Sequence, residues 1–260
     1  MIEKEFRLIN VFTSAAARGN QCCVLMLNDL SDEDRLLSIA QDFDFPATAF
    51  IKRMDDATYQ TRWFAKEKEI QLCGHGAIAT AWALKNEPGQ GQSLLLQYND
   101  GSLALSFENE QVCLSSEAIV AEESTIPEAV QKGFNGLVKA YFPSSNKHLV
   151  LLEKASQVAE MKPDWAALRT LDTFAYSITA PGQDCDFVSR TLLPFIDKLE
   201  DQATGSSHLT LAPFWAERLG KTMLHAKQLS ERGGELTCQI KEEIVILKAH
   251  CQSFGKGQIE

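Results

Sequence analysis

At 260 residues, with 45% hydrophobic and 23% charged side chains, the chain exceeds one ordinary domain and has apolar material for two cores, which excludes a disordered protein. A formal net charge of -10 and a pI near 5.1 exclude the basic face that nucleic acid or an anionic lipid surface requires. No apolar run approaches the ~18 residues that cross a bilayer, and Met1 to Arg7 lack the basic and apolar blocks of a signal peptide, so a cytoplasmic protein with no membrane partner is expected.

Seven cysteines, at positions 22, 23, 73, 113, 185, 238 and 251, form no C-x-x-C pair and fit reduced thiols. Cys73 and His75 come nearest to a ligand cluster but have no partners nearby, so no structural metal is expected.

In chain order, an alternating strand over Phe6 to Phe12 runs into a small-residue loop ending at Gly19-Asn20, and an apolar strand covers Cys22 to Leu27. Apolar residues at 36, 37, 39, 40 and 43 predict a helix over Asp32 to Phe43, with Ser31 as N-cap. Strands Thr48 to Arg53 and Tyr59 to Ala65 lead to the turn Cys73-Gly74-His75-Gly76 and an apolar helix ending near Leu84. Then Ser93 to Gln97, Leu103 to Phe107 and Gln111 to Leu114 alternate around Asn99-Asp100-Gly101, a hairpin signature.

The stretch 115–133 is acidic, with Glu117, Glu122, Glu123 and Glu128 and few large apolar residues, and reads as a linker with at most a short helix. After it the order restarts: a strand over Gly136 to Phe142, a loop over 143–146, and an apolar strand from His148 to Leu152. A helix (Asp164 to Leu171) and strands (Thr173 to Ala180, Asp186 to Thr191) then lead to the turn Asp201-Gln-Ala-Thr204-Gly205-Ser206-Ser207 and a helix reaching Leu219. A second hairpin, Ser230 to Ile246, turns at 231–234. The repeated order predicts an α+β fold of two similar domains, 1–115 and 116–260. They are read as an internal duplication of about 130 residues, each an antiparallel-rich sheet wrapped around a central helix.

The two turns carry the chemistry. The first N–H groups of a helix have no intrahelical partner and stand at the positive end of its dipole, so each turn is a seat for a carboxylate. The glycine spacing fits neither a phosphate loop nor a dinucleotide fingerprint.

The chain resembles the phenazine-biosynthesis PhzF-like proteins, which share the fold of diaminopimelate epimerase. The resemblance runs in order through Val11-Phe12-Thr13, Gly19-Asn20, Arg62-Trp63-Phe64, Leu72-Cys73-Gly74-His75, Asn146-Lys147-His148-Leu149 and Asp186-Phe187-Val188-Ser189-Arg190. It continues through Glu200-Asp201, Ala203-Thr204-Gly205-Ser206, Leu211-Ala212-Pro213-Phe214-Trp215, Ala216-Glu217-Arg218-Leu219-Gly220 and Ser230-Glu231-Arg232-Gly233-Gly234. It implies an active site in the cleft between two similar domains and a cofactor-free isomerase, often dimeric, that moves a proton on a small carboxylated metabolite. A homodimer is within that expectation.

The resemblance also implies roles for residues. His75 matches the family's site histidine, able to deliver or receive a proton, and Asp201 matches its aspartate, which either orients His75 or shuttles a proton. Ser206, with the amides of Gly205 and Ser207, is expected to hold the substrate carboxylate, while Ser206 also N-caps the second helix. Gly74 and Gly76 form the first seat. Asn20 fits a substrate contact or a turn residue equally. Cys73 stands where diaminopimelate epimerases carry a catalytic thiol; because the second turn has no cysteine, a small buried side chain is the expected role.

One departure stands out. Family members with isomerase chemistry carry a glutamate general acid/base where this chain has Ala47, in Asp44-Phe45-Pro46-Ala47-Thr48, and Pro46 replaces the preceding serine. Three readings follow: an isomerase or lyase relying on His75 and Asp201, with or without Asp44 or Asp42 swinging in as a substitute; a different reaction in the same pocket; or a non-catalytic binder of a small carboxylated metabolite.

Overall fold

A computed structural model describes residues 1–87, 91–145 and 147–260. The chain divides into two compact units, one made of Met1–Ser115 with Lys248–Glu260, the other of Ser116–Leu247. The expected second domain, 116–260, therefore gives its tail to the first unit. The cause is the last strand, which pairs with the first.

Unit 1 contains, in order, β1 (Glu5–Val11), β2 (Asn20–Met26), α1 (Glu33–Phe43), β3 (Ala47–Arg53), β4 (Thr58–Phe64), β5 (Glu69–Ile70), α2 (Gly74–Leu84), β6 (Ser93–Tyr98), β7 (Gly101–Glu108) and β8 (Gln111–Glu117). The sheet runs β1-β2-β3-β4-β6-β7-β8, with β5 on β4. β2–β3 and β4–β6 are parallel; β1–β2, β3–β4, β6–β7 and β7–β8 are antiparallel.

Helix α2 is apolar all round, and between Gly76 and Leu84 only Trp82 is not buried. A helix without a polar face must be enclosed, and β1, β2, β3 and β7 pack against it. On the other face of the sheet α1 lays Leu36 and Ala40 over Leu25, Phe50 and Phe64. Strand β2 is thus covered on both sides, which explains its unbroken apolar run. Each such fully buried Leu or Phe contributes roughly 1.5–3 kcal/mol. The N-cap of α1 is Asp32, which accepts from the Arg35 amide at 3.1 Å, and not Ser31, whose hydroxyl donates to Asp29 at 2.8 Å.

Unit 2 contains α3 (Glu128–Gly133), β9 (Ala140–Phe142), β10 (His148–Leu151), α4 (Ala155–Glu160), α5 (Trp165–Leu168), β11 (Tyr176–Pro181), β12 (Phe187–Leu192), β13 (Glu200–Asp201), α6 (His208–Leu219), β14 (Met223–Gln228) and β15 (Gly234–Lys241); the final strand, β16 (Ile244–Gln258), leaves it for unit 1. Its strands run β16-β15-β14-β12-β11-β10-β9, with β13 on β12. β10–β11 and β12–β14 are parallel; β9–β10, β11–β12 and β14–β15 are antiparallel. Helix α6 packs on β14 and β15; its Trp215 stacks on Phe187 at 5.8 Å and donates to the Thr179 hydroxyl at 3.0 Å. Helices α3, α4 and α5 cover the opposite face through Val130, Val158 and Leu168 against Tyr176 and Ile178.

The expected linker is part of this unit. The Ile119 amide donates to Leu209 at 2.9 Å, the Ser124 amide to Tyr141 at 2.9 Å, and Val130 is wholly buried. Among the described residues no helix is long and apolar enough to cross a membrane.

Candidate active site

Unit 1 builds its turn from a two-residue strand and an arginine fork. Arg62, on β4, grips Glu69 of β5 through Nε at 2.7 Å and Nη2 at 2.6 Å, and a third bond at 2.9 Å reaches the Leu30 carbonyl. Such a bidentate pair fixes direction as well as position, so the chain leaves β5 along one path into the turn. Cys73 is the N-cap of α2, and its carbonyl accepts from Ala77 at 2.8 Å. Its thiol lies 3.5 Å from His75 Nδ1, so the buried sulfur touches the half-buried imidazole; the expected small buried residue also supports the histidine.

Glycine at 76 is required by packing, because a Cβ there would lie 2.6 Å from Trp63 Cδ1, whereas at Gly74 it would meet only Leu114 at 3.8 Å. Asn20 opens β2 and is fully buried, behind Gly19, whose φ of 69° and 2.1 Å approach of a would-be Cβ to the Val11 carbonyl admit no side chain. Ala47 opens β3 opposite Cys22 and is fully buried. Of the aspartates weighed as substitutes for a glutamate there, Asp44 is exposed at the left-handed C-cap of α1 and pairs with Lys66 at 3.2 Å, and Asp42 is exposed.

Unit 2 uses the same device. Arg190, on β12, grips Glu200 of β13 through Nε at 2.6 Å and Nη2 at 2.9 Å, and Nη1 reaches the Met161 carbonyl at 2.9 Å. The next residue, Asp201, is half-buried and accepts from the Thr204 hydroxyl at 2.5 Å. Gln228, at the end of β14 and almost fully buried, ties the turn from inside: its amide donates to the Asp201 carbonyl at 2.7 Å and its carbonyl accepts from the Thr204 N–H at 2.9 Å.

The start of α6 differs from expectation. Residues 205–207 form a tighter i to i+3 turn, with His208 donating to Gly205 at 3.0 Å and Leu209 to Ser206 at 3.3 Å, and the N-cap is Ser207. Ser207 makes no cap bond through its side chain; its hydroxyl donates back to the Thr204 carbonyl at 2.8 Å. Ser206 is therefore not the N-cap. Its hydroxyl oxygen accepts from Lys147 Nζ at 2.8 Å, a partner from the loop before β10. Behind it His208 is fully buried: Nδ1–H donates to Thr204 at 2.8 Å, and burial pushes its pKa down to about 4, with the Lys147 charge acting the same way. Burial also lowers Lys147, to about 8, against the opposing pull of Asp201.

Each turn thus presents a titratable group at the head of its unit's central helix: His75 beside Gly74 and Gly76 in unit 1, and Asp201 with Gly205, Ser206 and Ser207 in unit 2. Lys147, read from the sequence only within the Asn146-Lys147-His148-Leu149 stretch, and Gln228 were given no site role there. Among the described residues no three His, Cys, Asp or Glu side chains gather to hold a metal.

The family profile described as phenazine biosynthesis-like protein matches residues 9–252. An uncharacterized isomerase of Pseudomonas aeruginosa is 32% identical over 252 residues, 96% of each chain. The crystal structure of a PhzF-family protein of Enterococcus faecalis superposes with a TM-score of 0.94 at 32% identity, covering both chains completely. A hydroxyproline epimerase of Agrobacterium vitis, with bound trans-4-hydroxy-L-proline, shares the fold at 9% identity, with a TM-score of 0.61 over 98% of this chain and 92% of that one. On the matching profile and relatives, the chain belongs to the PhzC/PhzF family of phenazine biosynthesis-like proteins.

Proposed function

We propose that the chain is a cofactor-independent isomerase that moves a proton on a small carboxylated metabolite, with His75 and Asp201 as its proton-transferring groups. One observation carries the reading: the same staple, Arg62 on Glu69 and Arg190 on Glu200, delivers a turn bearing a titratable group, His75 or Asp201, to the head of each central helix. The correspondence of Glu69 and Cys73 with Glu200 and Thr204 also supports descent of the two units from one duplicated ancestor. The seven free thiols, six of them buried, support a reducing, cytoplasmic setting.

A methyl group transfers no proton, so Ala47 cannot do the work of the family's glutamate, and Asp44 lies paired with Lys66. A general acid or base contributes ~10²–10⁴-fold, so the remaining pair still supports measurable turnover. The second reading, a binder or a different reaction in the same pocket, draws on Ala47 alone.

The test is incubation with candidate carboxylates in deuterium oxide, beginning with trans-4-hydroxy-L-proline, and detection of label at carbon by NMR. His75→Ala and Asp201→Asn are each expected to remove most of the labelling while the fold persists. Labelling indifferent to both changes would place the proton path elsewhere, and binding without labelling would favour the binder.

A further inference from the structure

Lys147 is a long cation held in one place. The Ser144 hydroxyl donates to its carbonyl at 2.8 Å and accepts from its amide at 3.3 Å, fixing the loop, and the side chain then runs inward until the residue is only 6% exposed. Its Nζ ends 2.8 Å from Ser206 Oγ and 5.9 Å from the centre of the Phe174 ring, which is itself largely exposed. Among the described residues, the titratable groups that act on it include Asp201, from β13, whose charge favours the ammonium, and His208, from α6, which burial holds neutral; His148, adjacent in β10, is likewise lowered by burial.

The direction of the bond to Ser206 follows from chemistry. An ammonium has three donors and no acceptor, whereas a serine hydroxyl has one donor and two acceptor sites. The Ser206 oxygen must therefore accept from Lys147, and its own proton points away from the lysine. A neutral amine can accept, so deprotonated Lys147 competes for that proton.

We propose that Lys147 is a positioning residue of the carboxylate subsite, whose ammonium, by donating to Ser206 Oγ, turns the Ser206 hydroxyl into a donor to the carboxylate of the ligand. This rests on the reading that Ser206 engages a carboxylate, and deepens it by naming the group that sets the serine's hydrogen bond. Because burial brings the ammonium within reach of mild alkali, carboxylate affinity must fall as pH rises past about 8, where the native lysine loses its proton.

The full-length protein is titrated calorimetrically with benzoate and with malonate from pH 6.5 to 9.5. Wild type is expected to bind, with affinity falling up to about tenfold per pH unit above pH 8, as loss of one required proton dictates. Lys147→Met should weaken binding at pH 7 by about tenfold and flatten the profile. Lys147→Arg, permanently charged, should restore the affinity and keep it flat. Ser206→Ala should lose as much, with Lys147→Met adding nothing to it, because both changes remove one interaction. Binding by Lys147→Met with wild-type affinity and pH profile overturns the proposal, as do additive losses or failure of wild type to bind either carboxylate. Labelling from deuterium oxide decides the isomerase reading separately: a protein that binds carboxylates through Lys147 yet labels nothing sinks that reading and leaves this one standing. Should the methionine variant not fold, the flat profile of the arginine variant alone decides.

Discussion

The indole of Trp63 occupies the space that a side chain at Gly76 would need, its Cδ1 and Nε1 lying 2.6 and 2.9 Å from the position of a Cβ. Trp63 is 1% exposed and cannot swing aside without opening the core of unit 1. Gly76→Ala is therefore expected to cost about 1–3 kcal/mol in urea unfolding, the usual penalty of overpacking, and to displace His75 with it. Gly74→Ala, with only a leucine methyl at contact distance, should change stability by less than about 1 kcal/mol. Equal costs at the two positions would refute the packing argument.

Gln228 ties Asp201 and Thr204 together from β14. Gln228→Leu keeps the volume but leaves a buried amide and a carbonyl without this partner, about 1–3 kcal/mol each. The expected result is a lower urea midpoint with an unchanged slope. Carboxylate binding should also weaken, since the turn is no longer held.

His208 makes unit 2 sensitive to acid. Its pKa is about 4 in the folded chain against 6.5 unfolded, so between those values the unfolded chain binds a proton that the native chain refuses. Stability is then full above pH 6.5 and is lost as pH falls toward 4, by on the order of 3 kcal/mol for a shift of this size. Protonation would place a second N–H on Nε2, which is buried and meets no partner among the described residues. The stability difference between wild type and His208→Phe should narrow on acidification through this window. A constant difference would show that the histidine is not the sensor.

Restoring the missing glutamate tests the proton path directly. Position 47 is fully buried, and burial raises a carboxyl pKa, so a glutamate there would be a protonated acid near neutrality. Pro46→Ser combined with Ala47→Glu is expected to raise deuterium exchange ~10²-fold if the carboxyl reaches the substrate. Normal ligand binding with no gain in exchange would discard the impaired isomerase.

What could be read from the sequence was local. The Cys73-Gly74-His75-Gly76 turn and its apolar helix and the Asn99-Asp100-Gly101 hairpin between β6 and β7 both follow from neighbouring residues. The segment 115–133 was misread because its glutamates outnumber the few residues, such as Val130, that anchor it. The roles of Lys147 and Gln228 were not legible locally: each stands among other polar residues, Asn146 and His148 or Lys227 and Ser230, and only the folded sheet brings them to a turn more than twenty residues away in sequence. The start of α6 shifted because Thr204 collects the Ser207 and His208 side chains on its carbonyl, a bonding choice that residue types do not fix.

Strand β16 crosses from unit 2 to unit 1 at Leu247–Lys248, and its end pairs Gln258 with Glu5. On the ribosome, unit 2 is wholly synthesised while β1 still lacks one neighbour, which arrives only with residues 251–258. Unit 1 thus completes its sheet only after unit 2 has been made, and until then one edge of β1 is open to other chains. Deleting residues 251–258 would therefore damage unit 1 more than unit 2.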